Sequence, residues 1–293
     1  MGIILGLTGA VCWGMADFAA RFASRRVGAY RTLLYMQLFG FLALSIYLKF
    51  AGGFSHVAPG WQPWALTVAA GLLNVVASLS LYHSFEIGVM SIVGPVSSSY
   101  PALTVALALA SGERIHALRG IGMATTLAGV ILAAMSFAPK ANDASDSNGV
   151  GSGARLSRGV GWAILAAVGF GFMFWFLGFH VIPLVGDAVS VWVMRLTALV
   201  SLSVFALPAR QSIRLPHGGV WWMLAAVGFM DTAAFVSNNA GLHIGPVSVV
   251  SVLASLYGAV TVLLSWIFLR ERLERSQWLG IVLIFIGIVC VSI

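Results

Sequence analysis

The sequence predicts an all-α integral membrane protein of ten transmembrane helices, arranged as two inverted five-helix repeats. Three observations predict it. Of the 293 residues, 60% are apolar and only 9% are charged, against about 25% charged residues in an ordinary soluble domain. Ten apolar runs approach or reach the length of about 20 residues that a helix needs to cross a hydrocarbon core about 30 Å thick. The two halves of the chain match one another at an offset of 157 positions.

The runs fall at 3–22, 32–50, 64–85, 91–110 and 119–138, then at 159–180, 189–207, 220–241, 247–269 and 278–293. None alternates with period two. Lipid tolerates only helices and closed barrels, because every backbone polar group must be paired internally, so these runs are expected to be helices. No basic stretch precedes the first run, which is too long for a signal-peptide core and is expected to be retained. The fourth run carries Gly94, Pro95, Ser98, Tyr100 and Pro101, and the ninth carries Ser248, Ser251, Ser255, Tyr257 and Gly258. Small residues permit close helix approach, and prolines free carbonyls and allow bends. In the sixth run Phe170, Phe172, Phe174, Trp175, Phe176 and Phe179 occupy every face, which points to lipid contact and core packing. Trp162, near the start of that run, fits an interfacial belt. The one long polar stretch, 139–158, is rich in Gly, Ser, Asn and Asp and reads as a flexible linker between repeats at 1–138 and 159–293.

The offset of 157 aligns Gly14 with Gly171, Trp64 with Trp221, Gly71 with Gly228, and Ile87-Gly88 with Ile244-Gly245. Further on, Ser91, Ser98, Tyr100 and Thr104 fall on Ser248, Ser255, Tyr257 and Thr261. One inserted residue then brings Glu113-Arg114, Gly122 and Gly129 onto Glu271-Arg272, Gly280 and Gly287. Five spans is an odd number, so the second copy crosses the membrane in the opposite sense. Transporters use such inverted repeats to rock two halves around a site near the bilayer midplane.

The net charge of +7 would suggest nucleic acid in a soluble chain. Here 12 of the Lys and Arg residues sit in loops after the odd-numbered helices, against 3 in the opposite loops. They act as orientation signals that place the odd-numbered loops in the cytoplasm and both termini outside. No nucleic-acid partner is expected. Cys12 and Cys290 lie in apolar runs at opposite ends of the chain and read as small hydrophobes, forming neither a disulfide nor a metal site. No nucleotide fingerprint appears, and no His-Glu-x-x-His, Gly-x-Ser-x-Gly or paired-Asp motif on facing helices. The chain therefore reads as a protein without cofactor or metal, not an enzyme, driven by a gradient.

On these residues the chain resembles the EamA-type ten-helix branch of the drug/metabolite transporter superfamily. The resemblance rests on the repeat architecture, on Gly112-Glu113-Arg114 leading into Gly122 and Gly129, and on Arg270-Glu271-Arg272 leading into Gly280 and Gly287. The run Ser98-Ser99-Tyr100-Pro101-Ala102-Leu103-Thr104 is similar to a segment of bacterial aromatic amino-acid exporters. The resemblance implies a secondary transporter that exports small metabolites, neutral or aromatic amino acids foremost, across a bacterial inner membrane. A multidrug or other metabolite exporter of the same fold is the alternative, ahead of a channel, a flippase or an intramembrane enzyme. The expected partners are a small-molecule substrate and the lipid bilayer, with the chain acting as a monomer. Relatives often keep both termini in the cytoplasm, whereas the distribution of Lys and Arg in this chain favours both outside.

An ionisable or amide group at membrane depth costs about 2.5–3.5 kcal/mol and so faces a cavity or a partner. Asp231 lies about eleven residues into the eighth run, and Asn74 holds the matching place in the third. Phe235, Asn238 and Asn239 share the face of Asp231, as Ser78 and Tyr82 share that of Asn74. The candidate substrate-binding residues are therefore Asn74, Ser78, Tyr82, Tyr100, Asp231, Asn239 and Tyr257. The plainer reading of such groups is interhelical hydrogen bonding worth about 1 kcal/mol. Candidate coupling groups are Asp17, one turn from Arg21 and read first as its ion-pair partner, Glu86 at the end of the third run, and Arg195. Arg195 either snorkels to the interface or pairs with Asp231, Asp187 or a substrate carboxylate.

Overall fold

The computed structural model describes residues 1–51, 53–54, 57–88, 90–134, 159–216, 218–269 and 275–292. The expected linker at 139–158 and the Arg270-Glu271-Arg272 motif lie outside the described residues. Those described form helices and connections without a strand. The first half holds α1 (Gly2–Val27), α2 (Ala29–Ala51), α3 (Gln62–Ile87), α4 (Met90–Ser97), α5 (Pro101–Ala110) and α6 (Ala117–Ala134). The second holds α7 (Val160–Phe176), a π turn (Leu177–Val181), α8 (Ile182–Val185), α9 (Asp187–Ala206), α10 (Val220–Ile244), α11 (Val247–Ala254), α12 (Tyr257–Leu269) and α13 (Arg275–Ser292). Among the described residues seven helices are long and apolar enough to cross a membrane, with Pro101–Ala110 and Trp278–Cys290 shorter. Their outward faces carry exposed Ile46, Phe50, Val204, Phe205, Trp222 and Phe285, as expected where the surrounding solvent is hydrocarbon.

The fourth and ninth expected spans are not continuous helices. They break at 98–100 and at 255–256, places that the offset of 157 relates. Pro101 has no N–H, so the Ser97 carbonyl loses its α-helical donor and the chain tightens through Tyr100 N to Ser97 O (3.4 Å) and Leu103 N to Tyr100 O (3.1 Å). In the second half Gly258, a poor helix former, stands where Pro101 stands in the first. The bonds across that break run from Leu256 N to Leu253 O and from Gly258 N to Ser255 O, both 3.2 Å. The two breaks pack on each other, since a Cβ on Gly258 would lie 2.5 Å from Ser98 Oγ. The π turn has a similar cause: Pro183 removes the donor that Phe179 O would need, and the helix widens just before it.

The halves interlock through matching glycines. A Cβ on Gly171 would lie 2.7 Å from the Tyr100 carbonyl oxygen and 2.9 Å from Leu103 Cβ. One on Gly14 would lie 3.1 Å from the Tyr257 carbonyl oxygen and 2.5 Å from Val260 Cβ. Bare glycine thus lets α7 rest on the first break and α1 on the second. Helix α1 packs along α10, α7 along α3, and α6 along α13. The turn after α5 also reaches across: the Glu113 carboxylate accepts from Val247 N (3.1 Å), Ser248 N (3.2 Å) and Ser248 Oγ. It caps the first turn of α11, where the N–H groups have no intrahelical partner.

Candidate functional site

Four helices and the two helix breaks converge on a central cavity. Helix α1 supplies Trp13 and Asp17, one turn apart on a single face. Helix α10 supplies Asp231 and Phe235 at the same spacing, and α3 supplies Ser78, Leu81 and Tyr82. Helix α7 adds Phe170 and Phe174, and the two breaks add Tyr100 and Tyr257.

The polar side of the cavity is a buried charge network. Asp231 Oδ1 accepts from Trp13 Nε1 at 3.0 Å, and Oδ2 pairs with an Arg195 terminal nitrogen at 2.5 Å. The other terminal nitrogen of Arg195 donates to Gln37 Oε1 at 2.5 Å, and the guanidinium carbon lies 5.0 Å from the Phe235 ring centroid. Arg195 is 1% exposed, so it serves as a partner of Asp231 rather than snorkelling. Gly40 makes room for it: a Cβ there would stand 3.2 Å from Arg195 Nε and would collide with Thr232 Oγ1.

The aromatic side is equally organised. Trp13 meets Phe174, Phe235 and Tyr257 edge to face, at centroid distances of 5.5, 5.0 and 6.4 Å. Tyr100 and Tyr257 stack at 6.4 Å with 14° between their planes. Each hydroxyl donates across to the other broken helix, Tyr100 to the Ser251 carbonyl (3.1 Å) and Tyr257 to Ser97 Oγ (3.2 Å). The hydroxyls are thus satisfied while the rings remain available to a ligand. Tyr82 directs its hydroxyl to Met36 Sδ at 2.8 Å.

Of the sequence-derived candidates, Ser78, Tyr82, Tyr100, Asp231, Tyr257 and Asp17 line this one cavity. Asn74 does not; it is buried one turn away and accepts from the Ser78 hydroxyl at 3.4 Å. Asn239 turns toward α9, where its amide donates to Ser190 Oγ at 3.1 Å. Glu86 stands apart, 3.5 Å from His83 Nδ1 and 3.4 Å from the Ala29 N–H, in a second groove that also contains Trp162 and Arg31. Trp162 is 45% exposed there, as an interfacial residue would be. Of the aromatic run, Phe172 faces outward while Phe170 and Phe174 line the cavity, a role that space-filling alone did not foresee.

Sequence reasoning also missed Trp13 and Gln37. Trp13 carries a local signal, its one-turn spacing from Asp17; Gln37 carries only its place in an apolar helix. No paired-Asp motif is visible in the sequence, yet α1 packs on α10 and both Asp17 and Asp231 line the cavity. They are 214 residues apart, so no motif could show it. Among the described residues no group of three His, Cys, Asp or Glu could hold a metal ion. The arrangement offers ring faces for stacking and carboxylate oxygens as acceptors.

The EamA-like transporter family model matches residues 1–135 and again 157–293. An uncharacterized protein of Methanocaldococcus jannaschii is 31% identical over 135 residues, which make up 46% of this chain and 96% of that protein. A solved crystal structure, described only as that of a protein, covers 99% of this chain and 96% of its own with a TM-score of 0.75. At 19% identity that likeness is one of fold.

Proposed function

The chain belongs to the EamA-like transporter family, and from that premise we propose that its central cavity carries a small ring-bearing amphipathic metabolite by alternating access. Membership makes it a multi-pass membrane transporter of the drug/metabolite type. The observation that carries the finer reading is the place of the cavity. It lies where the two broken helices meet, walled by rings from both halves and closed on one side by the Asp231–Arg195 pair. Broken helices at the interface of two repeats are where transporters place their substrate.

The proposed architecture is ten spans in two inverted halves, 1–138 and 159–293. The related breaks, the related glycine contacts of Gly14 and Gly171, and the double match of the family support it. Rocking one half against the other would part the Tyr100–Ser251 and Tyr257–Ser97 contacts, which cross between halves. Neutral and aromatic amino acids are the substrates to try first, given the segment around Tyr100. A bacterial inner membrane with the basic odd-numbered loops inside is the setting that the Lys and Arg distribution favours.

The test is counterflow in proteoliposomes. Asp231→Asn and Tyr100→Ala are each expected to lower exchange about tenfold or more, the equivalent of about 1.4 kcal/mol of lost binding, read on the monodisperse fraction of each variant because Asp231→Asn also deprives buried Arg195 of its charge partner. Undiminished exchange in both variants would refute the site.

A further inference from the structure

We infer that the cavity selects a cation, an ammonium group on a ring-bearing skeleton, over a zwitterion or an anion of the same shape. The inference rests on the cavity reading above and places ring-bearing amines ahead of the zwitterionic amino acids named there. The ionisable carboxyl groups that line the cavity are those of Asp17 and Asp231; among the described residues no Lys, Arg or His lines it. Arg195 approaches Asp231 from behind the wall, 1% exposed, with its terminal nitrogens committed to Asp231 and Gln37. It balances the Asp231 carboxylate; the carboxyl of Asp17, 6% exposed, faces the same space.

The remaining wall is aromatic. Trp13, Tyr82, Phe174, Phe235 and Tyr257 bring ring faces to a largely apolar site. Ring faces carry negative potential and attract cations most strongly when the site is desolvated. The wall already shows this chemistry, with the Arg195 guanidinium 5.0 Å from the Phe235 ring centroid. An ammonium entering the cavity would meet carboxylate oxygens and ring faces together. The α-carboxylate of an amino acid would meet the same groups as repulsion, and could reach a cation only by parting Arg195 from Asp231. A zwitterion therefore gains at one end and loses at the other, an anion only loses, and a cation only gains.

Three compounds that share a phenol ring and differ in charge test this: tyramine, tyrosine and 3-(4-hydroxyphenyl)propionate. The full-length protein in proteoliposomes is expected to exchange labelled tyramine at least tenfold faster than tyrosine, and the propionate least. Asp17→Asn is expected to lower tyramine exchange about tenfold or more, and Asp17→Glu to restore most of it. In case Asp17→Asn fails to fold, wild-type thermal shift in detergent supplies a second reading. Tyramine should raise the melting temperature by about 2 °C more than equimolar tyrosine, through selective binding to the folded state. Tyrosine or the propionate exchanging faster than tyramine, with that exchange still lost in Tyr100→Ala, would overturn cation selection and leave the cavity reading standing. Exchange of none of the three would overturn cation selection, and exchange indifferent to both Tyr100→Ala and Asp17→Asn would overturn the cavity reading as well.

Discussion

Replacing Arg195 by methionine keeps an unbranched apolar stem and removes the charged guanidinium, shortening the side chain by the Cζ carbon and its two terminal nitrogens. The side chains of Arg195 and Asp231 are 2% and 10% exposed, so the carboxylate left behind cannot recover hydration. It would keep one donor, Trp13 Nε1 at 3.0 Å, and Gln37 Oε1 would lose its donor altogether. Breaking a buried pair by removing one partner costs about 3–5 kcal/mol, and a stranded buried acceptor adds about 1 kcal/mol or more. At roughly 2–4 °C per kcal/mol for a chain of this size, the melting temperature should fall by about 8 °C or more. The double variant Arg195→Met with Asp231→Leu removes both desolvation penalties. It should return to within about 1–2 kcal/mol of the wild type or exceed it. Thermal unfolding in detergent, followed by tryptophan fluorescence and circular dichroism, measures both, and counterflow on the same samples separates stability from transport. The double variant is expected to be stable and inactive. A single variant within 2 °C of wild type, or a double variant as unstable as the sum of two single losses, would refute a buried, mutually dependent pair.

Two further outcomes follow from cross-half contacts. Glu113→Ala removes the carboxylate that caps α11 through Val247 N, Ser248 N and Ser248 Oγ, and should cost about 1–2 kcal/mol, read as a lower melting temperature, with Glu113→Gln intermediate. Gly171→Ala should cost about 1–3 kcal/mol, because its Cβ would stand 2.7 Å from a backbone oxygen that cannot move aside, whereas Gly94→Ala, with nothing within 4 Å, should stay within about 0.5–1 kcal/mol of the wild type.

What the sequence makes legible falls off with distance along the chain. Periodic information such as span length, helical faces and the offset between halves survives in sequence because each helix sees its own neighbours at one and three or four residues. Helical spacing alone puts Ser78 with Tyr82 and Asp231 with Phe235 on shared faces. The same logic misplaces the continuity of the fourth and ninth spans. Hydropathy there is uninterrupted, while the missing N–H of Pro101 and the poor helix propensity of Gly258 act on the backbone alone. It also treats Asn74 and Asp231 as equivalents because they occupy matching positions. In the fold Asn74 faces Ser78 and Asp231 faces Trp13 and Arg195, since matching backbones carry different neighbours.

The sequence by itself determined the solvent and the class of fold. A chain with 9% charged residues and apolar runs of spanning length must pair its backbone within helices in lipid. Only the tertiary structure decided which polar groups meet. Trp13, Asp17, Arg195 and Asp231 come from three helices, and their partnerships depend on glycines at 14 and 171 that let backbones close to contact and on a glycine at 40 that leaves room for the Arg195 side chain. Such pairings are short-ranged in space and unconstrained in chain separation. No local pattern in the sequence could carry them, and the charge of the cavity follows from them.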